Sequence, residues 1–291
     1  MQQIITILSP SDWKDYELID AGSERKLERF GSFICIRPEP KALWDPAGHE
    51  LWGRAHALYQ RDNTGGGRWA FKTRLADSWQ ISWKDLNFIV KPTGFKHMGI
   101  FPEQAALWQF IINKIKSAHR PIKVLNLFAY TGGSTLAAAH AGASVTHLDA
   151  SKDVLTWARE NAVASGLDAK PIRWIPEDAL TFIQREIKRG NRYDAIIMDP
   201  PKFGRGTKNE VWKIEEDLPK IIKLCRELLS PNPLFFILNA YAVSYSSVTL
   251  GNILFQVMSK YKGQIIHGEL ATPLSAQPLY LPQSIFTIWE D

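Results

Sequence analysis

The chain has 291 residues, of which 45% are hydrophobic and 22% are charged, a composition that excludes collagen-like and disordered proteins. Its net charge of +5 at pH 7 permits an anionic partner without requiring one. The long apolar stretches are strand-sized or carry charges at helical spacing, so we expect no transmembrane segment. The first residues, MQQIITILSPSDWKDYELID, lack the basic start of a secretory signal and are too acidic for a transit peptide, which predicts a cytoplasmic protein.

The two cysteines, Cys35 and Cys225, are far apart and lie in no CxxC or histidine-rich pattern. We therefore predict neither a disulfide framework nor a metal site, and a reducing compartment fits. Cys225 lies on an apolar helical stripe and is interpreted as a small buried residue.

The N-terminal third predicts strands. Between residues 31 and 93, apolar and polar side chains alternate with period two, as at Trp79, Ile81 and Trp83, which is typical of half-buried strands. The tract DNTGGG at 62–67 predicts a hairpin turn and PEPKALWDPAG at 38–48 a loop. We predict a small β-rich accessory domain over residues 1–94. It holds six of the eleven tryptophans, which could stack bases beside arginines, although alternate tryptophans more commonly belong to a core.

From residue 103 onward, strand-like and helical segments alternate. The strand-like segments are 124–129, 144–149, 172–176, 193–199 and 234–240. Helical patterns separate them, with Ser151 as an N-cap and Gly142 and Gly166 as stops. Two more strands, GQIIHGELA and SIFTIWED, are joined by a short link without a helix, which predicts antiparallel pairing. The whole, residues 95–291, predicts an α/β domain with a doubly wound, mostly parallel sheet of seven strands.

The first strand ends in FAYTGG at 128–133, where a helix opens. A dinucleotide fold would place G-x-G-x-x-G here, because those glycines let the backbone approach a pyrophosphate at the helix N-terminus. This chain has only the adjacent pair Gly132 and Gly133. The pattern better suits a ligand that needs close backbone approach but has no phosphate.

Acidic residues follow the next two strands. Asp149 lies sixteen residues after Gly133, where a carboxylate can accept both hydroxyls of a ribose. Glu177 and Asp178 follow the third strand, and a carboxylate there can accept from an adenine amine. Asp178 is also a candidate N-cap for the helix ALTFI, and the two roles do not exclude each other.

The fourth strand ends in DPPKF at 199–203, the most specific motif in the chain. Two prolines straight after a buried strand restrict the backbone, so that Asp199 and nearby carbonyls point to one spot. Phe203 is placed to stack on a planar group. A plain strand-ending turn could also use Asp-Pro-Pro, but the acidic ends of the two preceding strands favour a functional interpretation.

Together, FAYTGG, the Asp149 strand end, EDA at 177–179 and DPPKF resemble the motif series of class I S-adenosylmethionine-dependent methyltransferases. With TGFKHMGIFPEQ at 93–104, the series resembles more closely the bacterial large-subunit rRNA methyltransferase group that includes the 23S cytosine-5 and guanine-N7 enzymes. The resemblance covers residues 93–291 and implies S-adenosylmethionine as cofactor, with the Phe101 to Gln104 segment closing over it. The implied cofactor residues are Phe101, Gln104, Phe128, Ala129, Tyr130, Thr131, Gly132, Asp149, Ala150, Ser151, Glu177, Asp178, Ala179 and Asp199.

Two departures from this group shape the functional prediction. Cytosine-5 members carry a Ser-Cys-Ser nucleophile after the fifth strand, where this chain has Asn239, Ala240 and Tyr241, so cysteine attack on a pyrimidine is not expected. The group's Asp-Gln-Arg appears here as Glu103, Gln104 and Ala105, which leaves the role of that arginine unfilled.

We therefore predict direct, metal-free methyl transfer to a nitrogen of an RNA base, with ribosomal RNA as the implied partner. The predicted catalytic residues are Asp199, Pro200 and Phe203. The predicted substrate-binding residues are Lys202, Phe203, Arg205, Asn239 and Tyr241, and Lys208 would join the phosphate contacts. A methyltransferase of the same fold acting on a protein or small molecule is the alternative, and a nicotinamide-dependent dehydrogenase is a third.

Overall fold

The computed structural model describes residues 1–62, 66–205 and 211–291, without the side chain of Arg205. The chain divides into two compact units. The α/β unit comprises Met1–Leu8, Ala106–Leu270 and Gln283–Asp291, and the β-rich unit comprises Ser9–Ala105 and Ala271–Pro282. The first strand joins the main sheet, and residues 271–282 belong to the β-rich unit. The domain boundary after residue 94 stays a prediction.

The elements of the chain up to residue 104 are mostly strands. They are β1 (Gln3–Leu8), β2 (Tyr16–Gly22), β3 (Arg25–Phe30), β4 (Phe33–Pro38), α1 (His49–Gly53), β5 (Ala57–Arg61), β6 (Gly67–Phe71), β7 (Trp79–Trp83), β8 (Leu86–Val90) and a 3₁₀ turn (Pro102–Gln104).

Helices and strands alternate after that turn. The elements are α2 (Ala105–Ser117), β9 (Lys123–Leu127), α3 (Gly133–His140), β10 (Ser144–Asp149), α4 (Lys152–Ala164), β11 (Ile172–Pro176), α5 (Ala179–Lys188), β12 (Ala195–Met198), β13 (Phe203–Arg205), β14 (Val211–Lys213), α6 (Ile214–Glu227), β15 (Phe235–Tyr241), α7 (Ser247–Val257), β16 (Gln264–Pro273) and β17 (Tyr280–Glu290).

The main sheet has the order β1-β16-β17-β15-β12-β9-β10-β11. Strands β11, β10, β9, β12 and β15 pair in parallel, and β17 pairs antiparallel with β15. Six residues, 274–279, join the neighbouring β16 and β17, a connection too short for a parallel crossover. The predicted doubly wound, mostly parallel sheet is confirmed. It contains the seven predicted strands and an eighth, β1, which pairs in parallel with β16.

The core of the α/β unit lies between this sheet and helices α5, α6 and α7. Buried strand residues such as Leu125, Ile196 and Phe236 pack against Phe182 of α5 and Ile221 of α6. Cys225 belongs to this cluster and is fully buried, as its helical stripe predicts. The packing holds the strands rigidly, so the loops at their carboxyl ends start from fixed positions.

The β-rich unit contains a five-stranded sheet, β2-β3-β4-β5-β6, and a separate ribbon of β7 and β8. Strands β5 and β6 pair antiparallel, and residues 63–65 of the predicted turn between them lie outside the described residues. The indole N–H groups of Trp69, Trp79 and Trp83 each donate to a backbone carbonyl, and Trp83 is buried. These contacts favour the core role of the tryptophans over base stacking.

Ion pairs are buried in the sheet of this unit. The Arg37 guanidinium donates to both carboxylate oxygens of Glu28, at 2.8 and 2.9 Å, and Tyr16 donates to the same carboxylate. Burial alone would raise the pKa of Glu28, but Arg37 and Lys26 outweigh it and lower the pKa to about 2. Among the described residues, no helix is long and apolar enough to cross a membrane.

Candidate active site

Four strands of the main sheet end in one row. Leu127 of β9 is paired with Leu148 of β10 and with Met198 of β12. Met198 is paired in turn with Leu238 of β15. Because the strands are parallel, the residue after each of these begins the carboxyl edge, where ligands bind in open α/β sheets. Those residues are Phe128, Asp149, Asp199 and Asn239.

The loop after β9 has an unusual backbone. Phe128 and Tyr130 have φ values of 54° and 49°, and Gly132 has a φ of 94°. Non-glycine residues rarely adopt such angles, and their clustering at a strand end is typical of a functional site. Gly132 is therefore required by its own conformation, and FAYTG forms a left-handed corner that the motif alone does not predict.

Gly133 has a different role from its neighbour. A Cβ atom at this position would lie 2.3 Å from the Trp108 ring of α2. The second glycine therefore permits close packing of helix α3 on Trp108.

The Asp149 carboxylate is held by the backbone. Its Oδ2 accepts from the N–H of Tyr130 at 3.0 Å, and its Oδ1 accepts from the N–H of Ser151 at 2.9 Å. Burial raises the pKa of Asp149, and these two hydrogen bonds oppose the rise. Each oxygen keeps a lone pair for a further donor, so the carboxylate fits the two hydroxyls of a ribose.

Buried polar groups support the loop from below. Asn161 of α4 donates to the Thr131 carbonyl at 2.9 Å. Asn126 donates to the Thr135 hydroxyl, which lies 2.9 Å from Nδ1 of His147. Burial, with a smaller contribution from Arg159, lowers the pKa of His147 to about 3, so the imidazole is neutral.

The third strand end has one structural role that the sequence predicts. The Asp178 carboxylate accepts from the N–H of Thr181 at 2.8 Å and caps α5. Glu177 forms an ion pair with Arg185 of the same helix. Ala179 is the buried first residue of that helix, and Ala150 and Ser151 lie between β10 and α4, where Ser151 is the N-cap. A contact from these residues to adenine stays a prediction.

Asp199 is oriented by side chains. The Asn239 amide donates to Asp199 Oδ1 at 2.8 Å, and the Asn239 oxygen accepts from the Ser284 hydroxyl at 3.0 Å. Burial raises the pKa of Asp199 to about 6, and the Asn239 bond limits the rise. Asn239 is 2% exposed, so its observed role is to orient Asp199. Its predicted contact with substrate remains a prediction.

Of the remaining motif residues, the last three are exposed and the first is buried. Phe203 is 56% exposed, and Lys202 and Pro201 are exposed, whereas Pro200 is buried. Phe203 starts the short strand β13, which pairs with β14. Tyr241 is half-buried at the end of β15. Lys208 lies outside the described residues.

Sequence reasoning missed several residues that shape this edge. Trp212 of β14 donates to the Pro201 carbonyl at 2.6 Å, and its ring centroid lies 4.8 Å from that of Phe128. Ser284, Asn161 and His147 were also missed. Each acts through a contact between distant parts of the chain, which no local pattern reports. Phe101 and Gln104 belong to the β-rich unit, and their role over the cofactor stays a prediction.

Comparisons with known proteins identify the family and the fold. The profile of the S-adenosylmethionine-dependent methyltransferase family matches residues 46–248. A crystal structure of an S-adenosylmethionine-dependent methyltransferase from Agrobacterium tumefaciens is 43% identical, with a TM-score of 0.95 over 99% of this chain and 95% of that one. A candidate methyltransferase solved with S-adenosylhomocysteine has a TM-score of 0.75 and 21% identity over 96% of this chain and 76% of that one, which shows a shared fold.

Curated relatives match a smaller part. Ribosomal RNA large subunit methyltransferase K/L of Shewanella frigidimarina is 33% identical over 147 residues, 50% of this chain. Ribosomal RNA large subunit methyltransferase K of Neisseria meningitidis is 33% identical over 119 residues, 40% of this chain. The matched regions span only 20% and 34% of those proteins.

The residues at the carboxyl edge fit an adenosyl ligand. Asp149 offers a preoriented carboxylate, and the left-handed corner at Phe128 to Gly132 lies next to it through the Tyr130 N–H. The family match covers more than half of the chain, and it agrees with the predicted cofactor and excludes the nicotinamide alternative. The chain belongs to the S-adenosylmethionine-dependent methyltransferase family and is an enzyme that uses S-adenosylmethionine as its methyl donor.

Proposed function

We propose that this enzyme methylates a nitrogen of an unpaired base in RNA, with ribosomal RNA as the first candidate. The observation that carries the proposal is the hydrogen-bonded pair of half-buried Asp199 and buried Asn239, with the exposed ring of Phe203 four residues after Asp199 along the chain. A carboxylate next to an aromatic face suits a flat base that presents its edge to Asp199 and its face to Phe203.

Asp199 supplies the polar half of this arrangement. S-adenosylmethionine provides a methyl group made electrophilic by its sulfonium, so the protein mainly has to hold the acceptor lone pair in line, at about 3 Å. A carboxylate that accepts a hydrogen bond from an amino N–H orients that nitrogen and increases its electron density. With a pKa of about 6, Asp199 is ionised at neutral pH. It can take the proton that the nitrogen loses when its bond to the methyl carbon forms and the methyl–sulfur bond of the donor breaks, with the electron pair staying on sulfur.

Phe203 supplies the stacking half. Its ring is more than half exposed at the start of β13, four residues after Asp199. Stacking on a base is sequence-tolerant and contributes about 1–3 kcal/mol. A base inside a helix cannot present itself in this way, so an unpaired or easily flipped nucleotide is the expected acceptor.

The burial and the raised thiol pKa of the two cysteines support a mechanism without a covalent base adduct. Cys225 is fully buried in α6, and burial raises the pKa of its thiol. Cys35 is fully buried in β4 of the β-rich unit, and burial raises the pKa of its thiol to about 12. A nucleophilic cysteine is exposed and has a lowered pKa, and neither residue has these properties.

RNA as the substrate class is supported by the names of the curated relatives and by the exposed Lys202 beside Phe203. Lysine beside a stacking ring can contact a phosphate.

The test is methyl transfer from radiolabelled S-adenosylmethionine to ribosomal RNA prepared from cells that lack the gene. We expect label in RNA, and we expect nucleoside analysis to find it on a base nitrogen. Activity should fall steeply with added salt, because phosphate contacts release counterions. Label that enters a protein fraction or a small molecule, and not RNA, would overturn the proposal and favour the alternative acceptor.

A further inference from the structure

The ribbon formed by β13 and β14 follows the DPPKF motif directly. Phe203 is paired with Lys213, and Gly204 is paired with Trp212. Because opposite residues of an antiparallel pair share a face and successive residues alternate, Trp212 lies on the face opposite Phe203. Phe203 is 56% exposed and Trp212 only 9%. The ribbon therefore has an outer face with Phe203 and an inner face with Trp212.

The first contact of Trp212 is with the DPPKF motif at 199–203, which holds the acceptor in the proposed function and is called the acceptor motif below. Its indole N–H donates to the Pro201 carbonyl at 2.6 Å. The proline rings already fix φ at residues 200 and 201, so the main remaining freedom of this segment is the direction of its carbonyl groups. A hydrogen bond to the Pro201 carbonyl removes that freedom two residues away from Asp199.

The second contact is with residues 128–132, the FAYTG segment of predicted cofactor residues, which is called the cofactor loop below. The indole ring packs against Phe128, with centroids 4.8 Å apart and an interplanar angle of 52°. Phe128 has a φ of 54°, a conformation that persists only where the surrounding structure holds it. Trp212 belongs to the buried core cluster, and Phe128 packs against that cluster. The ring therefore supports the strained corner from the sheet side.

We propose that Trp212 is a positioning residue that joins the two halves of the active site. Its N–H holds the acceptor motif through Pro201, and its ring holds the cofactor loop through Phe128. The acceptor half of this inference rests on the proposed function, whereas the cofactor half requires only S-adenosylmethionine binding.

The two contacts can be separated by substitution. Trp212→Phe keeps a ring against Phe128 and removes the N–H. We expect the dissociation constant for S-adenosylmethionine, measured by calorimetry without RNA, to stay within about twofold, while kcat at saturating cofactor and RNA falls about tenfold, as for a lost buried hydrogen bond. A residue that only stabilised the fold would change the melting temperature without this split.

Trp212→Leu removes both contacts but keeps apolar bulk, so it is preferred to alanine for keeping the ribbon folded. We expect it to lower kcat as the Phe variant does and also to weaken cofactor binding about fivefold to tenfold. Val211→Ser, at a neighbouring exposed position of the same strand, is the matched control and should leave both quantities unchanged.

Two results would overturn the inference: wild-type kcat in Trp212→Phe, or wild-type cofactor affinity in Trp212→Leu. The cofactor measurement needs no acceptor, so it decides the role of the ring even if wild-type enzyme does not methylate RNA. In that case the proposed function fails by itself, and the kcat comparison is made with the acceptor that the enzyme does methylate.

Discussion

The two aspartates at the carboxyl edge differ in how they are held. Both lie at the carboxyl edge of the main sheet, Asp149 as the last residue of β10 and Asp199 directly after β12. Asp149 receives two backbone N–H groups, whereas Asp199 receives the side-chain amide of Asn239. Hydrogen bonds from backbone N–H groups fix the position of a carboxylate and are kept when the side chains of the donor residues are substituted. A hydrogen bond from a side chain is lost when that residue is substituted. We propose that Asp149 binds the cofactor and that Asp199 orients the acceptor, and the following experiments test this contrast.

The largest expected effect is that of Asp199→Asn. The amide keeps the size of the side chain but cannot accept a proton, so we expect kcat to fall by about 10²–10³, the range for loss of one preorganised polar group. Cofactor affinity should stay within a few fold. Single-turnover kinetics and calorimetry measure the two quantities. If the variant lost cofactor binding but kept turnover of the bound complex, Asp199 would belong to the cofactor side and the contrast with Asp149 would fail.

Asp149→Ala should have the opposite pattern. Loss of the carboxylate should weaken S-adenosylmethionine binding by about 1.5–3 kcal/mol, the range for hydrogen bonds to a charged group. Turnover at saturating cofactor should change much less. Calorimetry measures the affinity. Circular dichroism checks that the variant still folds when the N–H groups of Tyr130 and Ser151 have lost the Asp149 carboxylate as acceptor. Unchanged affinity in a folded variant would remove Asp149 from the binding site.

Phe203→Ala tests the acceptor side without touching either carboxylate. The ring is exposed, so its loss should leave the fold intact and weaken RNA binding by about 1–3 kcal/mol. Phe203→Tyr, which keeps a stacking face, is the matched control and should bind almost as the wild type does. Fluorescence anisotropy with labelled RNA measures both, and equal weakening by the two variants would contradict stacking.

The pH dependence separates the aspartates further. Asp199, with a raised pKa of about 6, loses its charge as pH falls through that value, so kcat should rise with pH through about 6 and then level off. Asn239 lowers the pKa of Asp199, so Asn239→Ala should move the midpoint to higher pH. Ser284→Ala, which removes only the partner of the Asn239 oxygen, should move it less. A midpoint that does not move in Asn239→Ala would show that another group titrates.

These contrasts mark how far the sequence could predict the site. Asp149 and Asp199 were predictable because parallel strands end at one edge whatever the packing, and Asp178 was predictable as a cap because capping is local. The packing role of Gly133 was not predictable, since the need for glycine there comes from Trp108 on a different helix. Trp212, Asn161 and Ser284 reach the site through tertiary contacts, and a lone residue of any of these types carries no local pattern. The eighth strand, β1, likewise depends on a partner that lies far along the chain.

The smallest expected effect is that of substituting both cysteines, which have no role in the proposed functions of Asp149 and Asp199. Cys35→Ser with Cys225→Ser should leave methyl transfer within about twofold of the wild type, after allowance for the fraction folded. Each buried thiol replaced by a hydroxyl leaves a polar group in an apolar site, and an unpaired one costs about 1–3 kcal/mol of stability. The melting temperature should therefore fall while kcat of the folded enzyme does not change. Cys→Ala variants, which add no polar group, should have a melting temperature closer to that of the wild type.

Incubation with RNA that contains 5-fluorocytosine provides the decisive comparison, because a cysteine-dependent enzyme would be trapped as a covalent adduct. An adduct through either cysteine would show that the enzyme uses nucleophilic catalysis and not direct transfer to an acceptor oriented by Asp199. The proposed role of Asp199 in the chemistry would then be wrong.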